Sequence, residues 1–104
     1  MLGYYDMNDF NIVVARIPNP SDNLLVVPFN ENLEFSHRNT FTDSEFLVFL
    51  WNLGVHPDEA QATLERSRPA PRSFKLRFAL SDHQIKYARS HFPPDAKAGY
   101  GGKG

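Results

Sequence analysis

The sequence predicts an α+β domain, with about three helices packed on one face of a small, mostly antiparallel sheet. Three observations carry that reading. Short runs of β-branched and aromatic residues, bounded by proline and asparagine, are too brief for helices and read as strands. Two capping boxes, Thr42-Asp43-Ser44-Glu45 and Ser81-Asp82-His83-Gln84, open helical patterns. Residues 73–80 set Phe74, Leu76, Phe78 and Leu80 in alternation with Ser73, Lys75, Arg77 and Ala79, the period of a strand. The expected order is β-β-(β)-α-α-β-α: three strands, or four with a short one around Glu34.

The first nine residues carry no period and read as a lead-in. Residues 10–17 form the first strand, stopped by Pro18. The cluster 18–23 is a turn, and residues 24–29 make a second strand in which Pro28 marks an edge or an end. Together they predict an antiparallel hairpin. Residues 30–40 are polar, with Leu33 and Phe35 as apolar anchors. The Thr42 hydroxyl then caps a helix, Glu45 returns to the Thr42 amide, and Phe41 and Phe46 staple the start. Phe46, Phe49, Leu50 and Leu53 form its core stripe, and Leu47, Val48 and Trp51 widen it. Gly54 ends it.

Pro57 opens a second helix, with Asp58 and Glu59 in its first turn and His56 as a poor nominal cap. That helix stops before Pro69. The last strand would run beside a strand of the first hairpin, in parallel if the helical crossover returns it that way. The final helix, stapled by Leu80 and Ile85, turns Ile85, Ala88 and Phe92 inward and ends at Pro93.

At 104 residues and 11.9 kDa the chain fits one domain, placed at residues 1–94, followed by a glycine- and lysine-containing tail at 95–104. With 41% hydrophobic and 22% charged residues it reads as folded rather than disordered. No apolar run is long enough for a membrane helix. The absence of cysteine excludes disulfides, Cys-ligated zinc, iron–sulfur clusters and thiol catalysis. No basic-then-apolar leader is visible, so cytoplasmic residence is the expectation.

The formal net charge of −1 hides a division. Residues 1–60 hold two basic and nine acidic side chains, a net of −7; residues 61–104 hold nine basic and three acidic, a net of +6. Such asymmetry can create oppositely charged faces for recognition.

Leu53-Gly54-Val55-His56-Pro57-Asp58-Glu59-Ala60, with Leu64 following, resembles the turn of helix-turn-helix DNA-binding domains and the Met-Gly-Phe turn of ubiquitin-associated modules. The first resemblance implies a DNA-reading second helix, but Asp58 and Glu59 would meet the phosphates with its first turn. The second implies a third helix directly after, where Pro69 to Pro71 and a strand stand instead. Plain packing of a helical pair explains the same residues.

No catalytic constellation stands out. His83 and His91 lie eight residues apart on one helix, about 12 Å along its axis and too far for joint coordination. There is no Gly-x-Ser-x-Gly elbow, and Gly-Gly-Lys-Gly at the C-terminus lacks the spacing of a phosphate loop. The expectation is a non-enzyme without cofactor or metal.

The candidate binding residues are the cations of the second half: Arg66, Arg68, Arg72, Lys75, Arg77, Lys86 and Arg89. They suit a protein partner, as an inhibitor, adaptor or regulatory subunit would present. Nucleic acid is the alternative, with Phe74 and Phe78 stacking bases; strand alternation sets those rings on the face away from Lys75 and Arg77. A subunit of a larger assembly, or a homo-oligomer, is the third reading, through an apolar surface at Leu47 and Trp51. No membrane partner is expected.

Overall fold

The computed structural model describes residues 8–16, 23–29 and 38–92. The lead-in expected at 1–9 is shorter, because Asn8 and Asp9 already pair with β4 as part of the first strand. Residues 1–7, the turn at 18–23 except Asn23, the segment around Glu34 and the tail at 95–104 lie outside the described residues. In chain order come β1 (Asn8–Arg16), β2 (Leu24–Phe29), β3 (Asn39–Phe41), α1 (Asp43–Asn52), α2 (Pro57–Arg66), β4 (Arg72–Leu80) and α3 (Asp82–Ser90). This is the α+β order expected, with four strands. The third falls at 39–41, closer to the helix start than Glu34.

The sheet order is β3-β2-β1-β4, and each neighbouring pair is antiparallel. β4 therefore joins β1 antiparallel, which removes the parallel alternative. Nine residue pairs match β1 to β4, Asn8 opposite Leu80 through to Arg16 opposite Arg72. Pro28 stands beyond the reach of β3, which pairs only with Leu24, Leu25 and Val26. A residue without an N–H is tolerated at such an uncovered stretch.

Alternation decides the core. Phe10, Ile12 and Val14 of β1, with Leu24 and Val26 of β2, are buried, and each residue between them is half-buried. Against that row pack Phe41, Phe46, Phe49, Leu50 and Leu53, then Ala60 and Leu64, and finally Ile85, Ala88 and Phe92. All three helices thus lie over one face of the sheet.

Local chemistry sets the helix ends. The Thr42 hydroxyl accepts the Glu45 amide at 3.1 Å, and Glu45 Oε1 accepts the Thr42 amide at 2.9 Å. Thr42→Ala should therefore lower stability by about 0.5–2 kcal/mol, read from denaturant midpoints at constant m-value. An unchanged midpoint would contradict the cap. At α3, Gln84 Oε1 accepts both the Ser81 amide at 3.0 Å and the Ser81 hydroxyl at 3.1 Å. His56 is a better cap than its residue type suggests, because its ring Nδ1 accepts the Asp58 amide at 3.1 Å. α1 closes in a Schellman motif: Val55 N–H reaches the Leu50 carbonyl and Gly54 N–H the Trp51 carbonyl, both at 3.0 Å. Gly54 holds φ +93°, and a Cβ there would stand 3.2 Å from Gln84 Nε2.

Among the described residues, one charged side chain is inside. Arg16 closes β1 at 2% exposure, on the helix-covered face. Its Nη1 donates to Asp43 Oδ1 at 2.8 Å and its Nη2 to Ser67 Oγ at 2.8 Å. The Ser67 hydroxyl in turn donates to the Leu64 carbonyl. Arg68 pairs with the other oxygen of Asp43. The ends of β1 and α2 and the first turn of α1 are thereby tied at one carboxylate.

Candidate partner-binding surface

The sheet has a second face, and among the described residues no helix covers it. Register places Val13 and Ala15 of β1 beside Leu25, Val27 and Phe29 of β2, an apolar band of half-buried side chains. Lys75 stands opposite Val13, and Arg77 opposite Asn11, so two cations border the band along β4. Lys75 Nζ lies 5.5 Å from the centroid of the Phe29 ring, a cation–π contact reaching across β1. Asp9, opposite Ala79, contributes one negative charge at the end of this face, and neither it nor Arg77 forms a salt bridge within the described residues.

β4 is an edge, and its exposure follows from that. Strand alternation predicts that Phe74, Leu76 and Phe78 join Leu50 and Ile85 in the core. Leu50 and Ile85 are buried, but the three β4 residues are only half-buried. With β1 on one side alone, their outer flanks have no neighbouring strand among the described residues. Phe74 is covered instead by the Arg66 guanidinium, 4.3 Å from its ring centroid, and Phe78 leans on Phe10 at 6.2 Å.

The direction of the β4 backbone can be read from three contacts. Pro28, opposite Ile12, has no N–H to exchange with β1. The Thr40 amide takes its own neighbour's Asn39 Oδ1 at 2.8 Å and turns away from Leu25. The Leu80 carbonyl accepts Asn8 Nδ2 at 3.3 Å and so faces β1. In an antiparallel ladder these agree on one phase. Even-numbered β4 residues turn their backbone groups to β1, and Ser73, Lys75, Arg77 and Ala79 turn theirs outward.

The seven predicted cations divide into three groups. Arg66 and Arg68 serve the fold, the first on Phe74 and the second on Asp43. Arg72, Lys75 and Arg77 are exposed on β4, with Lys75 and Arg77 on the open face and Arg72 on the helix-side parity with Phe74. Lys86 and Arg89 are exposed on α3, away from the open face. Glu31 and Glu34, first-half acids that could neutralise these cations, lie outside the described residues; among the described residues, Asp43 is the first-half acid that meets a second-half cation.

The apolar alternative changes one partner. Trp51 is 45% exposed, as its widened stripe suggested, but Leu47 packs against the core. Val48, also 45% exposed, is the residue that shares the outer surface of α1 with Trp51. Asn52, beside them, donates to the Tyr87 hydroxyl at 3.2 Å and joins α1 to α3.

His91 sits among aromatic rings, with centroids 4.9 Å from Tyr87, 5.1 Å from Phe49 and 5.7 Å from Phe41. Burial there holds its pKa below the ordinary histidine value, against the opposing charge of Glu45. The folded protein thus disfavours the imidazolium that the unfolded chain accepts. Stability from this group is complete above about pH 6.5 and is lost as pH falls from there through the lowered folded value. His91→Phe should flatten the fall in stability between about pH 7 and pH 5. An identical pH profile in the variant would contradict this role.

Among the described residues no group of three or more histidine or carboxylate side chains could hold a metal, and no helix is long and apolar enough to cross a membrane. The chain matches no family model, no curated protein and no solved structure.

Proposed function

We propose that this chain is a non-enzymatic protein-recognition domain, an adaptor, inhibitor or regulatory subunit, that binds an acidic protein surface through the open face of its sheet. The observation that supports this reading most is the apolar band of Val13, Leu25, Val27 and Phe29 bordered by Lys75 and Arg77. Apolar area supplies affinity on desolvation, and bordering cations select the partner and its orientation. The proposal places the work in the cytoplasm, where a chain without cysteine forgoes no disulfide.

The test is a double charge reversal, Lys75→Glu with Arg77→Glu, judged by capture from native lysate with and without nuclease. Capture should survive nuclease and fall by more than tenfold in the reversed variant. The thermal transition should stay nearly fixed, because exposed charges contribute little to stability. Undiminished capture by the folded variant would overturn the reading, and complete loss on nuclease treatment would turn it toward nucleic acid.

A further inference from the structure

We infer that the acidic partner docks by adding an extended strand to the outer edge of β4. The inference rests on the protein-recognition reading above and specifies its geometry. β4 is nine residues long, uncovered along its outer edge among the described strands, and aligned through its whole length with β1. Ser73, Lys75, Arg77 and Ala79 turn their amides and carbonyls outward, so a further antiparallel strand would find a ladder already in phase. Strand addition draws affinity from such main-chain bonds and specificity from alternate side chains.

Charge decides which strand fits. Antiparallel pairing of β4 with a second copy would match outward residues to outward residues. Its central registers set Lys75 against Arg77, Lys75 against Lys75, or Arg77 against Arg77. Like charges directly opposite destabilise such a pair. Cations on an edge are a known guard against self-pairing. Here they also complement an acidic strand, whose carboxylates would stand opposite Lys75 and Arg77 on the open face. Its alternate apolar side chains would extend the row of half-buried Phe74, Leu76 and Phe78. The occupant is therefore a partner segment that alternates acidic and apolar residues, with the acids on the open-face side.

The experiment uses the full chain and a synthetic peptide of about ten residues alternating glutamate with valine, the length that pairs one strand. Amide exchange at Lys75, Arg77 and Ala79 should slow on addition of the peptide. The same peptide N-methylated at alternate residues, or carrying lysine for glutamate, should bind at least tenfold more weakly. Ser73→Pro with Ala79→Pro removes two outward donors and no charge, and should also weaken binding at least tenfold. If that variant loses its fold, the peptide comparison on the unmodified chain decides alone. Equal binding of the N-methylated peptide, or unprotected amides at saturation, overturns strand addition. The recognition reading is then judged separately by the charge reversal. Protection of the same amides by self-association without peptide assigns the edge to a second copy, and equal binding of a single-stranded oligonucleotide assigns it to nucleic acid; either result overturns the inference.

Discussion

Phe49→Ala is expected to lower stability by about 3–5 kcal/mol, the range for deleting a buried aromatic ring. Phe49 is 1% exposed and sits where α1, β3 and the end of α3 meet. Its ring lies 5.1 Å from Phe41, 6.1 Å from Tyr87, 5.1 Å from His91 and 6.0 Å from Phe92 by centroid. These neighbours hang on different elements, so they cannot close on the space together, and a cavity remains. Leu50→Ala should follow at about 2–5 kcal/mol. Urea unfolding at constant m-value measures both, and a loss below about 1 kcal/mol at Phe49 would contradict the packing.

Asp43→Ala is expected to cost about 3 kcal/mol, although its side chain is one-third exposed and belongs to a helix's first turn. The reason is its partner. Arg16 is almost wholly buried, and removing the carboxylate takes from its buried guanidinium the charge that Asp43 supplies at 2.8 Å. Deleting the charge along with its partner relieves that penalty. Arg16→Met in combination with Asp43→Ala should therefore be more stable than Asp43→Ala alone. Arg68→Ala, at the exposed end of the same carboxylate, should cost no more than about 1 kcal/mol. If Asp43→Ala proved as mild as Arg68→Ala, the buried ion pair would be structurally idle.

The contrast between these sites shows what is legible in the sequence. Helix starts at Thr42 and Ser81 were visible because a capping box is local chemistry within four residues. The stop at Gly54 was visible for the same reason. Alternation in β4 assigned its faces correctly, since a period of two survives any tertiary arrangement. Alternation is silent on whether a strand is central or marginal. Phe74, Leu76 and Phe78 therefore looked like core, and only the order β3-β2-β1-β4 leaves them at an edge. Arg16 was invisible as a buried charge, because its partners Asp43 and Ser67 lie 27 and 51 positions away. The open apolar face was equally hidden. Val13, Val27 and Phe29 join only through register, and the hydrophobic runs of β1 and β2 alone do not say that the described helices all lie over the other side. The basic half of the sequence did identify Lys75 and Arg77, but Arg66 and Arg68 from the same cluster are occupied by Phe74 and Asp43.

Among the described residues, two surfaces compete for a partner: the sheet face with Lys75 and Arg77, and the outer side of α1 with Val48 and Trp51. They lie on opposite sides of the domain, and the single tryptophan reports on the second alone. The most direct measurement is residue-level mapping of the bound state by amide and methyl NMR shifts, with Trp51 emission followed in the same titration. Binding through the sheet should concentrate shifts on Val13, Val27, Phe29, Lys75 and Arg77, with Trp51 emission unchanged. Shifts confined to Val48, Trp51 and their neighbours on α1, with the sheet residues unmoved, would contradict it.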